Sequence, residues 1–171
     1  VRGDPCITPL AKALEGIPGG EEAQALLVLL PLGDAPLPKT ITASLDALAK
    51  AHGDSLPKEA FPTLLDHAWD CAPLMRKLAA RKEAPPEVLD RLAQHPEPTV
   101  RALVAFHPKA HPETLTVLYR DPTVPWWVLR GLVRNPNTPR EVLEAIARAK
   151  WGREITERAR VRLDATPGGN P

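Results

Sequence analysis

Apolar residues in this chain recur in short amphipathic blocks punctuated by proline. Val88, Leu89 and Leu92 form one block, and Val142, Leu143 and Ile146 form another. That spacing marks a single face of a helix. Leu89, Leu115 and Leu143 occupy equivalent places, 26 and 28 residues apart. A fixed period in this range is the signature of a solenoid. Each block is followed by a second one: Val100, Val104 and Pro108 match Val128, Leu132 and Pro136. A more degenerate copy runs from Phe61 to Ala80, and a last copy runs out to Leu163 without its prolines. The pattern predicts four units, at about 61–82, 83–109, 110–137 and 138–165.

Each half-unit reads as one short helix. Proline is tolerated in the first helical turn, where its missing N–H would have no intrahelical partner. Glu87, Glu113 and Glu141 follow near the helix N-terminus, where negative charge is favoured. The next proline ends the helix, because the residue before it is pushed out of the α region. The second half-units have room for two or three turns, partly 3₁₀. No stretch alternates apolar and polar residues like a half-buried strand, so the fold class is all-α.

Three elements of the pattern carry a resemblance. They are the Pro85-Pro86-Glu87-Val88-Leu89 start, the His/Asp/Asn-Pro steps at His95, Asp121 and Asn135, and the Val100-Arg101 and Val104-Ala105 pairs. Residues 61–165 resemble the leucine-rich repeat variant family, a relative of HEAT repeats. The resemblance implies alternating α- and 3₁₀-helices stacked as a right-handed solenoid. It implies no defined activity. One branch of that family carries an iron–sulfur cluster on four cysteines. This chain has Cys6 and Cys71 alone, so that cofactor is not carried over and none is expected.

The first 60 residues lack a clear repeat. Helices are expected at Thr8–Leu14, Glu21–Leu30 and Thr42–Ala51, with Pro36-Leu37-Pro38 as a turn or extended connection. This segment reads as a helical cap or as diverged repeats, covering the open end that a solenoid must protect. Residues 166–171 read as a flexible tail.

Composition is that of an ordinary globular protein, 43% hydrophobic and 25% charged. The 21 prolines stand out, but they are periodic, so disorder is the weaker reading. The longest apolar run, Ala25–Leu32, is too short to cross a membrane. Two distant cysteines argue against a secreted disulfide scaffold, which leaves the cytoplasm as the expected location. Scarce Asn, Gln and Met suit a GC-rich bacterial genome and a thermophile. Net charge is +1, but residues 1–70 hold 5 basic and 10 acidic side chains, and residues 71–171 hold 17 and 11. The halves therefore balance at −5 and +6, which leaves homo-oligomeric attraction or an acidic partner open.

No phosphate loop, dinucleotide fingerprint, zinc-protease or nucleophile-elbow motif is present. His67 and Cys71, with His52 or Asp70, have zinc-like spacing, but no second Cys/His pair completes a site. The plainer reading is a surface histidine and a small buried cysteine. His95, His107 and His111 read as loop residues in Asn/Asp-like positions. No catalytic, metal or cofactor residue is assigned.

Trp126 and Trp127 are adjacent, so one narrow core face cannot bury both equally. Arg130 and Arg134 follow Trp126 at i+4 and i+8. Trp126, Arg130 and Arg134 are the candidate partner-binding stripe, since Trp and Arg dominate binding hot spots. The alternative site is the basic C-terminal helix, where Arg153, Arg158, Arg160 and Arg162 would meet nucleic-acid phosphates. The expected function is a non-enzymatic helical-repeat scaffold binding another macromolecule, foremost a protein. The alternative is a nucleic-acid-binding module.

Overall fold

The computed structural model describes residues 6–21, 23, 37–53, 55–149 and 151–165. Among the described residues there are ten helices and no strand. They are α1 (Ile7–Glu15), α2 (Leu37–Ala51), α3 (Ala60–Ala68), α4 (Ala72–Ala79) and α5 (Pro86–Leu92). Then follow α6 (Pro98–Phe106), α7 (Pro112–Arg120), α8 (Trp126–Leu132), α9 (Arg140–Arg148) and α10 (Arg153–Ala165). No described helix is long and apolar enough to cross a membrane. The expected helix at Glu21–Leu30 and the tail at 166–171 lie outside the described residues.

The chain forms two compact units, Val1–Val88 and Leu89–Pro171, divided inside α5. In the first, α1 packs on α3, α2 on α4, and α3 on α4. Leu10, Leu14, Leu45, Leu48, Phe61 and Met75 are fully buried there. Each such side chain contributes about 1.5–3 kcal/mol by leaving water. The compact division falls well past residue 61, where the repeat pattern begins, because α3 and α4 bury their apolar faces against α1 and α2.

Two expectations about this unit are corrected. Leu37 and Pro38 do not form a connection; they open α2. Proline fits there because a first-turn N–H has no partner to lose. Cys6 and Cys71 are joined by a disulfide across a sequence separation of 65, with both residues buried. The fold brings the start of α1 against the start of α4, a proximity with no trace in the spacing of the two cysteines.

In the second unit α6 packs closely on α8, α7 touches both, and α9 packs on α10. Gly131 makes the α6–α8 approach feasible. A Cβ there would lie 2.8 Å from Ala105 Cβ and 3.2 Å from the Ala105 backbone. Leu89, Leu115 and Leu143 are all buried, as are Val100, Val104, Val128 and Leu132. Pro86, Pro98 and Pro112 are the first residues of their helices, with Glu87 and Glu113 in the first turns.

The expected 3₁₀ helices are not among the described elements; α6 and α8 are α-helical. Three-residue hydrogen bonds occur instead at single helix ends, as from Val128 N–H to the Pro125 carbonyl at 3.0 Å.

The connections share one device. His95, His107, Asp121 and Asn135 each precede a proline. Before proline the backbone is driven to extended angles, as at His107 (φ −75°, ψ 127°) and Asp121 (φ −62°, ψ 116°). In each case the side chain accepts the N–H two residues on. His95 Nδ1 takes Glu97 N–H at 3.1 Å, and His107 Nδ1 takes Lys109 N–H at 3.1 Å. Asp121 Oδ1 takes Thr123 N–H at 2.8 Å, and Asn135 Oδ1 takes Asn137 N–H at 2.9 Å.

The Asp121 version has a pH consequence. Its carboxylate also accepts the Thr123 hydroxyl at 2.7 Å and lies 3.4 Å from Arg101 Nε. The two Thr123 hydrogen bonds, then the Arg101 charge, hold its pKa below the ordinary 3.8 against a partial desolvation effect. A depressed carboxylate stabilises the fold above the unfolded-state pKa, and that contribution is lost as pH falls through the folded-state value. Asp121→Asn keeps the acceptor oxygen and removes the charge. Its stability, measured by urea unfolding, is expected to lie below wild type above pH ~4. The gap should close on further acidification; a constant gap would contradict this account.

Candidate partner-binding surface

The loop carbonyls left by the X-Pro steps have no N–H from the prolines, so other side chains reach them. Asn135 Nδ2 donates to the carbonyls of Ala105 and His107, each at 2.8 Å. Asn137 Nδ2 donates to Pro108 at 2.8 Å and Ala110 at 3.1 Å. Arg101 donates to His95 and Pro96, each at 2.9 Å. Arg162 donates to Asn135 at 2.5 Å, Pro136 at 3.2 Å and Val133 at 3.4 Å. Partial burial of its guanidinium lowers its pKa.

Arg162 therefore clamps three backbone carbonyls within the fold. The other three arginines of the nucleic-acid alternative are exposed, but not all on one side of the helix. Arg153 and Arg158 lie about 140° apart around α10. Arg160 shares the side of Arg153, and its guanidinium is 3.4 Å from Glu157. The buried face of α10 is Ile155 and Ala159. Trp151 precedes the helix and is exposed, and Leu163 near its end is half-buried.

The histidines and cysteines are also accounted for. Cys71 is bonded to Cys6, so it has no thiolate to share with His67. A carbonyl can only accept, so His67 Nδ1 donates to Thr63 O at 2.9 Å and His52 Nε2 to Pro18 O at 2.6 Å. His111 differs from its two neighbours: its Nδ1 donates to Asp90 Oδ2 at 3.2 Å, at the surface. Among the described residues no group of three or more His, Cys, Asp or Glu could hold a metal. A groove of about 460 Å³ beside α7 is lined by Ala93, Gln94, Arg101, Val117, Leu118, Arg120 and Asp121. Its Arg101 and Asp121 are paired with each other, and its lining contains no serine, cysteine or histidine.

The surface of α8 is arranged differently. Trp126 is 55% exposed and Trp127 40%, their rings edge to face with centroids 5.8 Å apart. Trp127 does not sink beside Val128 and Leu132, which are buried on the other side of the helix. Arg130 follows one turn from Trp126. The helix stops at Leu132, so Arg134 lies in the turn beyond it, where its N–H reaches the Gly131 carbonyl at 3.0 Å. Both arginines nevertheless reach one carboxylate. Arg130 Nε is 3.7 Å and Arg134 Nη2 is 3.9 Å from Glu154 Oε1. Trp151, three residues before Glu154, is 41% exposed. The structure thus brings Arg130 and Arg134 together, leaves Trp126 accessible one helical turn from Arg130, and adds Glu154, which the sequence reading missed.

Compared with protein-family models, with curated proteins and with solved structures, the chain matches none.

Proposed function

We propose that this chain is a non-enzymatic helical-repeat scaffold that binds a protein partner through the α8 surface. In this reading residues 61–165 stack as a right-handed solenoid of the leucine-rich repeat variant type. The reading rests chiefly on where the tryptophans are. Three of the four, Trp126, Trp127 and Trp151, are exposed, while the interior is built from smaller side chains, chiefly Leu, Val and Ala. A tryptophan left in water forgoes the largest burial gain any side chain offers. Beside paired arginines, such rings are the side chains that anchor protein interfaces.

A cytoplasmic setting, in the same reading, is that of a hyperthermophile. Disulfides otherwise persist in oxidising compartments, and the Cys6–Cys71 bond would be reduced in an ordinary cytoplasm.

The test is a double variant, Trp126→Ala with Arg130→Ala. Val128, Leu129 and Leu132 hold α8 to the unit, so the variant is expected to keep its circular dichroism spectrum. A partner identified by crosslinking to wild type should bind it more weakly by about 2 kcal/mol or more. Undiminished affinity would remove this surface from the proposal.

A further inference from the structure

We infer that the α8 surface takes an acidic peptide segment, and that Glu154 occupies the place of the peptide's carboxylate until it binds. The inference rests on the proposed partner-binding role of this surface and names the partner's chemistry. Two guanidinium groups converge on one point, and the group found there is a single, poorly held carboxylate. Glu154 is 63% exposed, and its two ion pairs, at 3.7 and 3.9 Å, are longer than a hydrogen bond. Arg130 Nε is buried and donates no hydrogen bond to any group.

A buried N–H without an acceptor is costly, and a well-placed carboxylate would satisfy it. Glu154 is tethered to α10, whose Ile155 and Ala159 are buried. A free carboxylate has no such tether. The exposed Trp126 and Trp127 rings, one turn away, offer apolar area for the residue next to it. An extended acidic segment with proline or another apolar residue beside the carboxylate matches both parts.

This arrangement makes an unusual demand: removing a surface carboxylate should strengthen binding. The probe is a fluorescein-labelled peptide of alternating glutamate and proline, with a glutamine-and-proline peptide as control. Exposed ion pairs of this kind compete weakly, so Glu154→Gln should tighten the acidic peptide about two- to five-fold. Arg130→Ala and Arg134→Ala should each weaken it, added salt should weaken it further, and the glutamine peptide should not respond to Glu154→Gln. Unfolding curves verify that each variant is folded. If Glu154 served only the first turn of α10, where a carboxylate favours the helix N-terminus, Glu154→Gln would lower stability and leave affinity unchanged. That result, or the absence of acidic-peptide binding by both wild type and Glu154→Gln, overturns the inference. The broader reading fails separately, if Trp126→Ala with Arg130→Ala leaves the crosslinked partner's affinity intact.

Discussion

Breaking the Cys6–Cys71 bond is expected to lower the stability of the N-terminal unit by about 4 kcal/mol. The bond closes a loop with a sequence separation of 65, and the denatured chain loses correspondingly more freedom when it is present. That is a large share of the roughly 5–15 kcal/mol that keeps a domain folded. The comparison is oxidised wild type against a Cys6→Ser, Cys71→Ser variant in urea. Hydrogen exchange locates the effect, with protection expected to fall in α1 and α4 and to persist in α6 and α8. Both cysteines are held in the bond, so a thiol reagent should find nothing to label, even in denaturant, until a reductant is added. Two thiols that react in native buffer, or two proteins of equal stability, would contradict the structure at this point.

Leu115→Ala is the second large effect, at about 2–5 kcal/mol. Leu115 is on α7 and completely inaccessible. Truncating it removes the transfer free energy of the lost atoms and leaves a cavity that α7 and its neighbours fill only in part. The informative control is two residues away. Val117 on the same helix is 55% exposed, so Val117→Ala should change stability by no more than about 0.5 kcal/mol. Equal costs at the two positions would mean that the helix is turned differently about its axis.

Leu115 also shows why much of the fold was legible. Its burial follows from spacing, because apolar residues at three- and four-residue intervals can face only one side of a helix. The same logic placed Leu89 and Leu143, which are buried as well. The helix ends were legible for a different reason. Proline acts on its own neighbours through sterics, so an X-Pro step beyond the first turn tends to stop a helix. The side-chain acceptors at His95, His107, Asp121 and Asn135 are local too, each bonding two residues on. Leu37 and Pro38 show the limit, since the same residue type can end one helix and begin the next.

The candidate site was half legible. Trp126 and Arg130 are one turn apart on a single helix, and that relation holds in any helix. Arg134 could not be assigned this way, because α8 stops at Leu132. It joins Arg130 through Glu154, a residue twenty positions further along the chain, and no pattern in the sequence pairs them. The contacts of Arg162 were illegible for the converse reason. In sequence it is one basic residue among several; in the fold it alone of the four reaches the Val133, Asn135 and Pro136 carbonyls.

By itself, then, the sequence determined what depends on neighbours within about one helical turn: helix content, helix ends, and the inward face of each amphipathic segment. Those are short-range consequences of sterics and of solvent exclusion from one side of a helix. The tertiary structure alone decided the partners of residues remote in sequence. It joined Cys6 to Cys71, set Glu154 between two arginines, and turned Arg162 inward. Such pairings depend on how whole helices dock, and docking is settled by the summed packing of many side chains, with no one residue's identity announcing its partner.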